Sequence, residues 1–400
     1  KKLIVFLLVF CLLSGISVHA KEAVTVSSEC DISDINVPLE ASAPSAAIGQ
    51  RLEIKAKSVI LMEPVTGKED NQDEKLPPAS ITKIMSLLLV MEAIDRGDIS
   101  LETVVTASEH ASSMGGSQIW LKAGESMTVN DLLKATVIAS ANDACVALGE
   151  LVAGSEEGFV AMMNERAAEL GMTNTHFENC TGLDAEGHLT TAYDVAVMSS
   201  ALIKHSMIKD YSTVWMDSLR DGKSELVNTN KLVRFYEGTT GLKTGTTATA
   251  KYCLSATAQR GGLELVAVVM SADSTADRFN GAKKLLDYGF ANYNFSSVGA
   301  ELAGDTAVRV NKGTEKSVKV SAGENLNVLL PKSVSGKLER TVNLSKNVTA
   351  PVKKGDVLGT VTISVNGEEL GEIPLTAAED VQRLAFALSF GRILKGLFKL

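Results

Sequence analysis

Hydrophobic spacing divides the chain into blocks of different period. Residues 1–20 begin with Lys1-Lys2, run apolar from Leu3 to Leu13 and end at Val18-His19-Ala20, the pattern of a secretory signal cut after Ala20. Residues 21–50 mix Ser, Ala, Pro and acids without a period and read as a linker. An apolar stretch from Ala56 to Met62 leading into Pro64-Val65-Thr66-Gly67-Lys68 predicts a strand and a turn. Pro77-Pro78-Ala79 then gives way to Ile84-Met85, Leu87 to Val90 and Ala93-Ile94, which predicts a helix apolar enough to be buried. Helical spacing continues from Asp131 to Gly149 with a break at Ser140-Ala141-Asn142, from Ser155 (as N-cap) to Leu170, and from Ala192 to Ile203. Strand spacing returns at Gly241 to Thr246, Tyr252 to Ala258 and Leu263 to Met270, with Arg260-Gly261-Gly262 as a hairpin turn. Strands at both sequence ends of a helical middle predict an α/β fold over residues 51–293, an antiparallel sheet flanked by helices.

Beyond Asn294 the period changes to two. Residues 296–376 alternate apolar and polar positions, as in Val361-Thr362-Ile363-Ser364-Val365, with Asn366-Gly367 as a hairpin turn, and predict a small all-β domain without candidate chemistry. Residues 379–400 return to helical spacing. Phe386, Phe390, Ile393, Leu394 and Leu397 fall on one face, and Arg392, Lys395 and Lys399 gather on the other. The longest uncharged stretch there, Leu384 to Gly391, has eight residues, against roughly 20 needed to cross a bilayer. Residues 381–400 are therefore expected to lie on a membrane surface, holding the exported protein at the outer face of the cytoplasmic membrane.

Composition narrows the partners. The formal charge of −9 argues against nucleic acid. Cys30, Cys145, Cys180 and Cys253 remain after signal removal, an even count that export would allow to pair, with buried free thiols the default and no pair assigned. No C-x-x-C occurs, so neither a metal nor another cofactor is expected. His110, His176, His188 and His205 lack an accompanying G-x-S-x-G elbow and read as ordinary loop or surface residues.

The chemistry lies in three short motifs in one order: Ser80-Ile81-Thr82-Lys83, Ser140-Ala141-Asn142 and Lys243-Thr244-Gly245. On a helix, the first places a hydroxyl nucleophile and an amine on one face, so that Lys83 can serve as the base for Ser80. The second adds a hydroxyl and an amide. The third adds a cation, a hydroxyl and a glycine beside which a ligand's backbone can lie. Single motifs are weak evidence, since Ser206-Met207-Ile208-Lys209 and Ser345-Lys346-Asn347 match by chance. The ordered trio, spaced by 60 and 103 residues, is specific.

With Gly116-Ser117-Gln118-Ile119-Trp120-Leu121 and Gly182-Leu183-Asp184, these motifs resemble the low-molecular-mass penicillin-binding proteins of the D-alanyl-D-alanine carboxypeptidase family, over about residues 50 to 293. Class A β-lactamases usually carry S-D-N and an E-x-x-L-N glutamate, and no E-x-x-L-N stands between Ser140 and Lys243. The resemblance implies a penicillin-recognising fold and a serine carboxypeptidase acting on peptidoglycan stem peptides, with β-lactams as inhibitors. It implies catalytic roles for Ser80, Lys83 and Ser140, with Ser140 relaying a proton. Asn142 would hold the substrate's amide, Lys243 and Thr244 the terminal carboxylate, and Gly245 the substrate backbone. Thr246 would lend a backbone N–H, beside that of Ser80, to the oxyanion, and Arg278 would help bind the carboxylate. The Gly182 to His188 loop would shape the cleft edge. A transpeptidase, a β-lactam hydrolase of the same superfamily and an inactive wall-binding module stay open as alternatives.

Overall fold

The computed structural model describes residues 52–63, 69–70, 73–299, 306–334 and 338–384. The expected signal and linker, the turn at Pro64–Lys68, Cys30 and the helical face from Phe386 onward lie outside the described residues. The described residues divide into two compact units, the larger holding residues 52–296 together with 327–334.

The larger unit is built on a five-stranded antiparallel sheet in the order Glu69–Asp70, Ser58–Met62, Leu263–Ala272, Lys251–Arg260, Thr239–Thr247. Both faces of its middle are covered, which is why Leu263 to Met270 reads as a nearly unbroken apolar run. Val266, Val268 and Met270 face the main helical core, whereas Leu265, Ala267 and Val269 pack with Ala282, Leu285 and Leu286 of the Thr275–Asn292 helix. On the other side stands the Lys83–Asp95 helix, with ten of its thirteen residues buried. A helix apolar on every face belongs in the centre of a domain. That position also encloses the lysine at its first turn.

Local chemistry sets the helix starts. The side chains of Thr128, Ser155, Thr191 and Ser274 each accept a hydrogen bond from the backbone N–H three residues on. Such caps stabilise a helix by about 1 kcal/mol each. Between the helices Val129–Ile138 and Asn142–Ala153, Ser140 holds φ +64°. A non-glycine residue in that region is uncommon, and here it turns the chain so that Ser140 and Asn142 face the same cleft.

The smaller unit carries a six-stranded sheet in the order Leu338–Leu344, Val357–Val365, Glu368–Ala377, Ser317–Ala322, Ala307–Asn311, Asn347–Thr349, with only the last pair parallel. Asn366 and Gly367 have φ +52° and +80°, the two positive values that a tight hairpin turn of this hand requires.

Two expected boundaries shift. The all-β stretch was expected to run unbroken from 296 to 376, but residues 327–334 belong to the larger unit. There Leu329 joins the core behind the sheet, and Lys332 donates to the carbonyls of Asn292 and Phe290. The C-terminal helix was expected from 379, but residues 379–384 are not helical. Val381 is buried, exchanges both backbone hydrogen bonds with Val352 in an isolated bridge, and packs in the core of the smaller unit instead. Its apolar side chain gains more by filling that core than by starting a solvent-facing helix.

Candidate active site

Ser80 lies in a 3-10 turn, Ala79–Thr82, that runs directly into the Lys83–Asp95 helix. The two side chains therefore sit on one face, and Lys83 Nζ donates to Ser80 Oγ at 3.1 Å. The same nitrogen donates to Asn142 Oδ1 at 2.5 Å and to the Thr181 carbonyl at 2.7 Å. With all three donors spent and no exposed surface, Lys83 is fixed. Burial lowers its pKa from 10.5 to about 8, while nearby Cys145, Cys180 and Asp143 pull in the opposite direction.

Across the cleft, Lys243 Nζ donates to Ser140 Oγ at 2.8 Å and to the Thr244 carbonyl at 3.0 Å. Burial first, then the Lys83 and Arg278 cations, hold Lys243 well below the usual lysine range. Lys243, expected to present its charge to a carboxylate, is 1% exposed and in this structure faces Ser140. The structure thus contains two serine–lysine pairs, linked through Asn142, which touches Lys83 and follows Ser140 by two residues.

The remaining predicted residues line one edge strand. Gly245 passes so close to the nucleophile turn that a methyl group there would lie 2.9 Å from Ser80 N and 2.9 Å from Pro78 O. Only glycine allows the strand this approach. Thr246 is exposed and accepts from Arg278 Nη1 at 3.0 Å, and the same Nη1 donates to the Gly245 carbonyl at 3.1 Å. Arg278 is buried under Tyr252 and Phe279, with the guanidinium over both rings. Thr244 is buried as well and donates its hydroxyl to Thr229 at 2.7 Å.

Further residues support the site, and Asn179 is one that the sequence reading did not name. The Thr181 carbonyl is aimed by Asn179, whose Oδ1 accepts from Thr181 N, Thr181 Oγ1 and Gly182 N. Gly182 has φ +85°, and a methyl group on it would fall 1.9 Å from the Ala79 carbonyl, so this loop is pressed against the nucleophile turn. Asp184 accepts from Thr247 and Thr249, tying the loop to the end of the edge strand. His188 is no surface residue. It is 2% exposed, burial lowers its pKa to about 4, and it stays neutral. Its Nδ1 accepts from Glu178 N, so Nε2 carries the proton and donates to Thr82 Oγ1 at 2.8 Å, bracing the turn that bears Ser80. Among the described residues no cluster of His, Cys, Asp or Glu is arranged to hold a metal ion. Cys145, Cys180 and Cys253 are buried free thiols.

A serine and a lysine in contact at the start of one helix, a second serine–lysine pair opposite and a strand edge beside them define a serine acyl-transfer enzyme of the penicillin-recognising fold. The family model described as D-alanyl-D-alanine carboxypeptidase matches residues 41–274, and that described as the penicillin-binding protein 5 C-terminal domain matches 290–383. The chain is 42% identical to D-alanyl-D-alanine carboxypeptidase DacF of Bacillus subtilis, over 88% of this chain and 94% of that one. It is 38% identical to DacC of Escherichia coli, over 85% and 87%. Among solved structures, penicillin-binding protein 5 of Haemophilus influenzae superposes with a TM-score of 0.72 at 29% identity, covering 86% of this chain and all of that one. The chain belongs to the D-alanyl-D-alanine carboxypeptidase family, peptidase S11, and is a serine-type carboxypeptidase of that family. The family acts on peptidoglycan peptides and binds β-lactams.

Proposed function

We propose that this enzyme removes the terminal D-alanine from peptidoglycan stem pentapeptides through an acyl-enzyme on Ser80. The observation that carries the reading is the 3.1 Å contact between Ser80 Oγ and a Lys83 amine whose pKa burial has brought to about 8. Lys83 takes the hydroxyl proton as Ser80 attacks the penultimate D-Ala carbonyl. The oxyanion collects at the backbone N–H groups of Ser80 and Thr246, which the close approach of Gly245 brings together. Ser140, in contact with Lys243, passes a proton to the departing amine. Water then attacks the ester and frees Ser80.

Substrate placement follows from the strand. Arg278 and the hydroxyl of Thr246 hold the free carboxylate, and Thr244 joins them by turning its hydroxyl away from Thr229. Asn142 holds the amide on the acyl side. The stem peptide lies along Thr239–Thr247, an outer strand of its sheet, with β-lactams occupying the same site as inhibitors. We place the protein at the outer face of the cytoplasmic membrane, on the strength of the signal-like residues 1–20 and the basic, amphipathic pattern after residue 384. Incubation with a stem pentapeptide tests the reading: free D-Ala is expected, and dimeric peptide in its place would make the enzyme a transpeptidase.

A further inference from the structure

Trp120 is 74% exposed and sits in the left-handed region at φ +59°, although its neighbours Ile119 and Leu121 are each 5% exposed. An aromatic residue in that conformation is a backbone outlier, and it persists only where surrounding bonds dictate it. Those bonds are visible. The buried Asp143 carboxylate accepts from Ile119 N at 3.2 Å and from Leu121 N at 2.9 Å, and Arg220 Nη1 donates to the Ile119 carbonyl at 2.9 Å. One residue earlier on the same helix, Asn142 donates its backbone N–H to Ser117 O at 2.7 Å and its side-chain amide to Gly115 O at 2.6 Å. The element that supplies Asn142 to the catalytic cleft thus also fixes the loop on both sides of Trp120. A methyl group on Gly116 would meet Asn142 Nδ2 at 2.8 Å and Leu183 at 3.7 Å, so this loop and the Gly182-Leu183 loop form facing rims over Asn142.

We propose that Trp120 is a specificity-determining residue, on whose indole lies the aliphatic side chain of the residue preceding D-Ala-D-Ala. The inference rests on the carboxypeptidase reading, which fixes the direction of the substrate. The terminal carboxylate goes to Thr246 and Arg278, Ser80 takes the carbonyl, and the upstream part of the donor leaves past Asn142 toward the Gly115 to Leu121 loop. The preferred substrate class is a peptide with a long, methylene-rich side chain at that upstream position. A flat ring exposed to water is suited to cover such a chain, and the backbone that carries it is held on both sides.

The test compares D-Ala release from Nα,Nε-diacetyl-L-Lys-D-Ala-D-Ala and Nα-acetyl-L-Ala-D-Ala-D-Ala, taken as the ratio of the two kcat/KM values. Covering about two methylenes is worth roughly tenfold, so Trp120→Ala is expected to lower the ratio by about that factor, chiefly through KM. Trp120→Phe, which keeps a flat ring, should retain part of the preference. A loss shared equally by both substrates would leave the ratio unchanged and overturn the proposal, since that is what a merely structural Trp120 gives. Release from neither peptide by the wild type would instead overturn the carboxypeptidase reading, and this inference with it.

Discussion

The dependence of acylation on pH follows from the burial of Lys83. A lysine at 10.5 is about 0.03% neutral at pH 7, whereas one at about 8 is about 9% neutral, a gain of roughly 300-fold in the form able to accept a proton. The apparent second-order rate of labelling by a fluorescent penicillin, measured by quenching at intervals between about pH 5.5 and 9.5, should therefore rise close to tenfold per unit at the acid end and level off near 8. Lys83→Arg keeps the positive charge but cannot give up its proton, so labelling should fall by about 10³-fold or more at every pH. A wild-type rate already flat at about pH 6 would refute the reasoning. It would move the base to another group, and Lys243, in contact with Ser140, would be the first candidate.

Lys83→Met should be inactive, and its stability relative to the wild type in urea unfolding should fall by about 3 kcal/mol between about pH 8 and 10.5, since it removes a buried amine whose charged form burial penalises. Because the folded pKa lies below the unfolded one, the cost of Lys83 is fully present below about pH 8 and fades toward 10.5, so the wild type should gain on the variant over that window. Gly182→Ala should cost roughly 2 to 4 kcal/mol and slow acylation, because the added methyl meets the Ala79 carbonyl next to Ser80; thermal melting and penicillin labelling check both. Deleting residues 385–400 should abolish co-sedimentation with anionic vesicles and leave activity on a soluble peptide intact, whereas a cut at 381 should also destabilise the small sheet by removing Val381.

What the sequence disclosed and what it hid have physical causes. The main helices and the long strands of the larger unit were legible from their apolar runs and spacing, and Ser80, Lys83, Ser140 and Lys243 were singled out because the motifs that hold them stand in one order along the chain. Asn179, Asp143 and His188 were not. They act by holding backbone groups 2 to 24 residues away, or a threonine 106 residues away, and such bonds leave no period in the chain. The facing of Lys243 toward Ser140 was hidden for a related reason. A lysine motif states that a cation is available, whereas its direction depends on how an edge strand meets a helix break 103 residues earlier. Residues 379–384 misled because a helical spacing was extended backward through Val381, which the small core takes instead.

The central claim, an acyl-enzyme on Ser80, is tested most directly by locating the covalent adduct. After labelling with penicillin and digestion with trypsin, mass spectrometry should find the added mass on the peptide Leu76–Lys83, which contains Ser80 as its only serine. Ser80→Ala should carry no adduct and release no D-Ala from the pentapeptide. An adduct on any other peptide, or D-Ala release that survives in Ser80→Ala, would contradict the account.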